Sequence, residues 1–299
     1  RYDKRTHTGD SDLSPRFHAL VDVADGTTLR AGWGVYHQSQ GIHELEAADG
    51  ETVFAPSERA TQVAVGLEHS FNAGIVGRLE AYHRKVDRPR RMYLNLWREI
   101  LAFPELDGDR VRVDPTQARA KGIEVLLRKE RGSRDWTPSY ALSSTETLID
   151  GTWVPQYWDQ THALGLSLGW RPTSNWTITG AFQIHSGWPF TPQIIEVDTL
   201  TVFQNDGLDS ALHWREEFGP LNTDRLPAYH RLDLRVSRSF PLRRGNLDVY
   251  IDLFNAYNQQ NLRSYEYSVQ YIENDLKWVR SPDEELLPIL PSIGLRWEF

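Results

Sequence analysis

Pro291-Ser292-Ile293-Gly294-Leu295-Arg296-Trp297-Glu298-Phe299 is the stretch whose reading decides the fold. Side chains alternate across a strand with period two, so Ile293, Leu295, Trp297 and Phe299 share one face. Ser292, Gly294, Arg296 and Glu298 share the other. In a soluble protein the last residues usually fray in water, and an apolar face carried by an aromatic pair to the final residue is out of place. It is in place where the apolar face meets acyl chains and the polar face lines a lumen. An edge strand of a soluble sandwich fits these nine residues equally well, so the decision passes to the rest of the chain.

The composition narrows the choice. There are 299 residues and no cysteine, hence no disulfide framework and no Cys-based metal site. A formal charge of −8 argues against a nucleic-acid partner, which calls for a basic surface. Mean hydropathy is −0.53, and no apolar run approaches the ~18 residues of a spanning helix. That excludes a helical membrane protein and leaves a barrel open, because barrel strands are only half apolar. Eleven Trp and twelve Tyr beside one Met suit aromatic belts at two membrane interfaces. The first residues, Arg1-Tyr2-Asp3-Lys4-Arg5, carry no apolar export signal. On a barrel reading the chain is therefore expected to be a C-terminal part, starting at the tail of a strand.

The alternation recurs along the chain. Phe17, Ala19, Val21 and Val23 precede a tight turn at Asp25-Gly26; Leu29, Ala31, Trp33 and Val35 then oppose Arg30, Gly32, Gly34 and Tyr36. Val63, Val65 and Leu67 lead through Asn72-Ala73-Gly74 to Ile75, Gly77, Leu79 and Ala81, set against Arg78, Glu80, Tyr82 and Arg84. A helix over 75–85 would scatter those charges around its cylinder, so period two is the better template. Ile123, Val125 and Leu127 oppose Gly122, Glu124 and Arg128, and Trp136 to Thr147 forms a weaker Ser- and Thr-rich strand. Leu164, Leu166, Leu168 and Trp170 face Gly165, Ser167 and Gly169; across Pro172 to Asn175, Trp176, Ile178, Phe182 and Ile184 continue the apolar side. Two Trp at one end of adjacent strands are what an aromatic girdle requires. Later strands run through Leu232, Leu234 and Val236, through Leu247, Val249, Ile251 and Leu253, and through Tyr265, Tyr267 and Val269. Asp248 and Asp252 would be costly in a dry core and are natural on a wet wall. The segments 38–59, 86–117 and 187–227 show no sustained period. The expected fold is all-β, a transmembrane antiparallel β-barrel contributing roughly twelve strands.

The order of local motifs resembles the C-terminal half of a TonB-dependent outer-membrane receptor. It is carried by Ser14-Pro15-Arg16, Leu29-Arg30-Ala31-Gly32-Trp33-Gly34, Lys121-Gly122-Ile123-Glu124-Val125 and His185-Ser186-Gly187-Trp188-Pro189-Phe190-Thr191-Pro192. Leu226-Pro227-Ala228-Tyr229-His230-Arg231-Leu232-Asp233, Asp252-Leu253-Phe254-Asn255-Ala256-Tyr257-Asn258 and Phe299 complete it. The resemblance implies a larger barrel of which residues 1–299 are the C-terminal portion, with the N-terminal plug and first strands lying upstream. It also implies a Gram-negative outer membrane, active uptake of a scarce small-molecule ligand (siderophore, vitamin or carbohydrate), and energy from TonB through the plug. A lipid bilayer and the barrel assembly machinery are implied as partners, the latter reading Ile293, Leu295, Trp297 and Phe299 by strand pairing at an open edge. A passive porin, a barrel enzyme and a soluble all-β binding module are the rivals. The last predicts repeats of about 40 residues, and none is visible.

Neither a cofactor nor catalysis is expected. The ten His are scattered without metal-ligand spacing. His185 and Ser186 are adjacent and point to opposite faces of a strand, so they cannot act as base and nucleophile. The polar-face candidates are Arg78, Glu80, Arg84, Glu124, Arg128, Asp233, Arg235, Asp248, Asp252 and Arg296, with Glu298 beside them. The preferred reading is that they pair across strands and keep the wall wet; the functional one is contact with a plug or a passing ligand. Trp188, Phe190 and the neighbourhood of Trp214 read as loop anchors or as stacking surfaces for an apolar or sugar ligand. With Phe299 at the periplasmic end, counting strands backwards makes the 257–261 turn periplasmic and the 273–288 loop external. It then places 187–227, 86–117 and 38–59 on the periplasmic side, against the usual pattern of short periplasmic turns.

Overall fold

The computed structural model describes residues 1–5, 9–96, 110–204, 207–272, 275–283 and 285–299, with residues 73, 195–204, 207–216, 269, 271, 275, 276 and 278 described through the backbone alone. The acidic stretch 105–109 and the Trp214 side chain therefore lie outside the described residues.

Eleven long strands form one antiparallel meander in which each strand pairs with its chain neighbours. They are β1 (Arg16–Ala24), β2 (Thr27–Gln38), β3 (Glu58–Phe71), β4 (Ile75–Val86), β5 (Gln117–Lys129) and β6 (Arg134–Ile149). Then follow β7 (His162–Thr173), β8 (Trp176–His185), β9 (Tyr229–Pro241), β10 (Asn246–Phe254) and β11 (Leu290–Glu298). A short strand, Thr152–Pro155, folds back on the end of β6 and makes the sheet twelve-stranded.

Register places every apolar stripe on one continuous face. Leu29 pairs with Val21 and Leu67, Leu67 with Leu79, and Leu79 with Val125. The row continues through Val125–Tyr140, Tyr140–Leu164 and Leu164–Ile184, and beyond it Ile178 pairs with Val236, Val236 with Ile251 and Ile251 with Ile293. These side chains do not gather into an interior. Leu164 is 41% exposed, Ile251 51% and Leu295 69%, while the buried hydrophobic residues among those described are only Val35, Ala60, Val113, Leu226 and Tyr229. A sheet of this size with so small a core cannot be held together by burial against itself. The exposed apolar face needs a nonaqueous partner, and an acyl-chain layer supplies one. At about 3.4 Å per residue, the eight steps from Val63 to Phe71 cover about 27 Å along the strand. Tilted by ~40°, that becomes about 20 Å, near the ~25 Å apolar band of a membrane barrel.

Connections alternate strictly in length. Five turns of two to four residues join β1–β2, β3–β4, β5–β6, β7–β8 and β9–β10, and five connections of 12 to 43 residues join the remaining pairs. In an antiparallel meander this puts all turns at one end and all long connections at the other. The turns are tight enough to dictate residues. Gly245 sits at φ +80, and a Cβ there would lie 1.6 Å from the Glu298 carbonyl oxygen. Outward Trp136, Trp170, Trp176 and Trp297 all lie toward the turn end, as a girdle requires.

The backward strand count from Phe299 is overturned. Tyr265–Ile272 is not a wall strand; it pairs with Asp275–Pro282 as a separate hairpin within the β10–β11 connection. Removing one strand inverts the parity. The 257–261 turn therefore lies at the long-loop end, and so do 187–227, 86–117 and 38–59, while Phe299 lies at the turn end. Two of those connections also hold hairpins of their own, Met92–Asn95 with Arg110–Val113 and Gln193–Gln204 with Gly207–Phe218.

Candidate functional site

All ten polar-face candidates fall on the face opposite the apolar stripes, where they form two patches. On the first, Glu68 accepts from Arg78 at 2.7 Å and from Arg30 at 3.0 Å, tying β2, β3 and β4 together. Glu80 stands directly across from Glu124, and Arg84 across from Gln62 and Ala120. Arg128 pairs with Glu130 at 3.3 Å. On the second patch Arg235 holds Asp252 through two nitrogens, and Asp248 accepts from Ser239 and faces Arg296. Arg296 pairs with Glu298. Asp233 accepts from Arg231 at 2.9 Å and from the backbone N–H of Asn255. Between the patches β6 to β8 present Thr137, Ser139, Ala141, Gly165, Ser167 and Ala181, small residues that leave the wall low.

A cavity of about 550 Å³ opens over this face at the long-loop end. Its floor is Glu58, Val86, Ala118 and Thr147, all on the polar side of β3 to β6, and its walls come from the 39–57, 87–116 and 150–161 connections. Arg90 reaches Glu44 at 2.8 Å and Glu58 at 3.4 Å, clamping one connection to another and to the strand end. Arg110 is bracketed by Glu46 and Asp49 and lies over the Tyr93 ring; Arg91 pairs with Asp114 at 2.7 Å. Thr147 and Gln156 are buried and bonded to each other. Tyr157 and Trp158 meet edge to face, and Trp158 is 48% exposed.

Sequence reasoning left this cluster unread, because Arg90 finds its carboxylates 46 and 32 residues away. The signal present was only the local run of Arg88, Arg90 and Arg91. The Glu44 carboxyl is held at about 2, chiefly by the Arg90 guanidinium and then by the Gly41 N–H, against an ordinary value near 4.5. A carboxyl lowered in the folded state contributes order above its ordinary value and loses it as pH falls toward the folded one. Backbone exchange of residues 41–46 should thus stay slow down to about pH 4.5 and rise progressively toward pH 2. In Glu44→Gln it should be fast already at pH 7, which hydrogen-exchange mass spectrometry would read.

Farther along the same end, His185 stacks on Tyr229 with centroids 4.7 Å apart, Trp188 lies 5.0 Å from His185, and Phe190 lies 5.4 Å from Tyr265. His185 bonds the Ser186 carbonyl, while the Ser186 hydroxyl accepts from the His162 N–H. The two side chains are thus engaged apart and make no nucleophile–base pair. Among the described residues, no three His, Asp or Glu gather in metal-binding geometry.

The wall itself is of a known kind. In FpvA of P. aeruginosa, bound to heterologous pyoverdines, 13% identity and a TM-score of 0.55 accompany coverage of 97% of this chain and 33% of that one. The ferric citrate transporter FecA in its unliganded form gives 15% identity and 0.57 over 98% and 40%, and the FrpB iron transporter of Neisseria meningitidis 12% and 0.55 over 96% and 39%. The chain thus spans well under half the length of these structures, and the likeness is one of fold. No curated protein matches it by sequence. Residues 1–262, however, match the family described as TonB dependent receptor-like, beta-barrel, and the chain belongs to that family.

Proposed function

We propose that these residues form the C-terminal wall of a receptor that takes up a scarce ligand across the outer membrane of a Gram-negative cell. On this reading the plug and the first strands belong to the remainder of the protein. TonB acts on the plug from the periplasm, and the long connections face outside. The observation that carries the proposal is the two-faced, one-ended sheet: an exposed apolar face, a charged opposite face, and a cavity among the long connections. Family membership supports a receptor over a passive porin, and the separately engaged His185 and Ser186 weigh against a barrel esterase. The ten charged wall residues are proposed as the surface that the plug meets, with Glu80 and Glu124 open to a cation from it. Ile293, Leu295, Trp297 and Phe299 are proposed as the strand that the assembly machinery pairs with.

Comparing spent medium from wild-type, receptor-deleted and tonB-deleted cells tests the proposal. A compound depleted only when both genes are present is the expected result. A compound that needs this receptor but is taken up equally without tonB would make it a passive channel.

A further inference from the structure

The cavity also carries information about ligand charge. Among the described side chains, the five long connections contain 13 Asp and Glu against 9 Lys and Arg, whereas the rest of the chain holds 16 against 22. The loop end is therefore net negative where the strands and turns are net positive, and such a field slows anions, draws in cations and leaves neutral solutes unhindered. Inside the cavity the arginines do not relieve this. Arg90 is taken by Glu44 and Glu58, and Arg91 by Asp114. At Arg90 an anionic ligand would have to displace Glu44 or Glu58 and leave that charge unpaired in a half-buried site, a costly exchange. What the walls offer freely is ring surface, above all the exposed face of Trp158. Ring faces bind apolar or C–H-rich faces and attract cations, and a space of this size suits a small molecule.

Resting on the uptake reading, we infer that the cavity admits a ligand without net negative charge that lays a ring or polyol face on Trp158. The test uses the full-length receptor in detergent and calorimetric titration with two sets of probes. The uncharged set is a ferric trihydroxamate, cyanocobalamin and maltohexaose; the anionic set is ferric citrate and a ferric tricatecholate. At least one uncharged probe is expected to bind with Kd below about 10 µM, and both anionic probes at least about tenfold more weakly. Trp158→Ala should weaken the uncharged probe about tenfold while migration without boiling stays that of a folded barrel. Glu44→Gln with Glu58→Gln frees Arg90 and should tighten an anionic probe. Tightest binding by an anionic probe, no uncharged probe binding below about 1 mM, or an effect of Trp158→Ala within about twofold would each overturn the inference. The underlying reading fails separately. TonB-dependent depletion of an anionic compound removes this inference and leaves the uptake reading intact. TonB-independent depletion of an uncharged one does the reverse.

Discussion

Ile251→Arg should lower the unfolding free energy of the full-length receptor in phospholipid vesicles by about 2–4 kcal/mol, the cost of a cation near the midplane of a barrel's lipid face. Ile251 sits midway along the outward stripe Leu247, Val249, Ile251 and Leu253, flanked by Val236 and Ile293 on its neighbours. It is 51% exposed, so a soluble protein would accept arginine there within about 0.5 kcal/mol. The difference between those two outcomes is the difference between lipid and water beyond the apolar face. Ser167→Lys is the control. Ser167 lies on the opposite face between Thr137 and Ala181 and shares a shallow pocket with Asp233, Arg235 and Asp252, so a lysine there reaches water beside two carboxylates, with an expected cost below about 1 kcal/mol. Denaturant titration followed by Trp fluorescence reads both variants. A cost for Ile251→Arg no larger than the control's would remove the membrane from the account.

The faces of the wall were legible because each strand states them by itself. Leu164 to Trp170 and Trp176 to Ile184 alternate so regularly that register needs only the short turn between them, and β7 and β8 pair as the alternation demands. What alternation cannot state is a partner. Tyr265, Tyr267 and Val269 have the same period as a wall strand, yet their hydrogen bonds go to Asp275–Pro282 inside a loop. Taking that strand into the wall reversed the end at which every long connection before it lies. The strand Gln193–Gln204 escaped for the complementary reason: in its sequence apolar residues stand at both odd and even positions (Ile194, Ile195, Val197, Leu200, Val202), so no alternating stripe marks it. The cavity was least legible of all. Its charges are ordinary surface charges in sequence, and only folding brings Glu44, Glu58 and Arg90 together.

The motif Asp252-Leu253-Phe254-Asn255 carries part of the family resemblance, and the structure gives it a physical task that a second substitution should expose. Asn255 is fully buried at the loop end of β10 with φ at +51. Its backbone N–H donates to Asp233 at 2.9 Å, its side-chain nitrogen donates to the carbonyls of Gln259 and Leu287, and its side-chain oxygen accepts from the Gln259 N–H. One residue thereby fixes the turn after β10 and pins the return of the connection just before β11. Asn258 helps, accepting from Ile289, and Asn261 grips both backbone groups of His230. Asn255→Leu keeps the branching and heavy-atom count and removes all three side-chain bonds, stranding two carbonyls and an N–H in a closed site at roughly 1 kcal/mol or more each. Holding a leucine in the left-handed region adds about 1–2 kcal/mol, for a loss of about 4–5 kcal/mol in all. Asn255→Gly relieves the backbone but not the bonds and should cost about 1–2 kcal/mol less than leucine. Because Asp233 belongs to the charged wall, its bond to the Asn255 N–H couples the loop to that wall. Exchange in 255–261 and 285–290 should therefore rise in both variants while that of β3 to β5 stays unchanged. Uniform loosening of the whole sheet would show instead that Asn255 supports general folding and not this one connection.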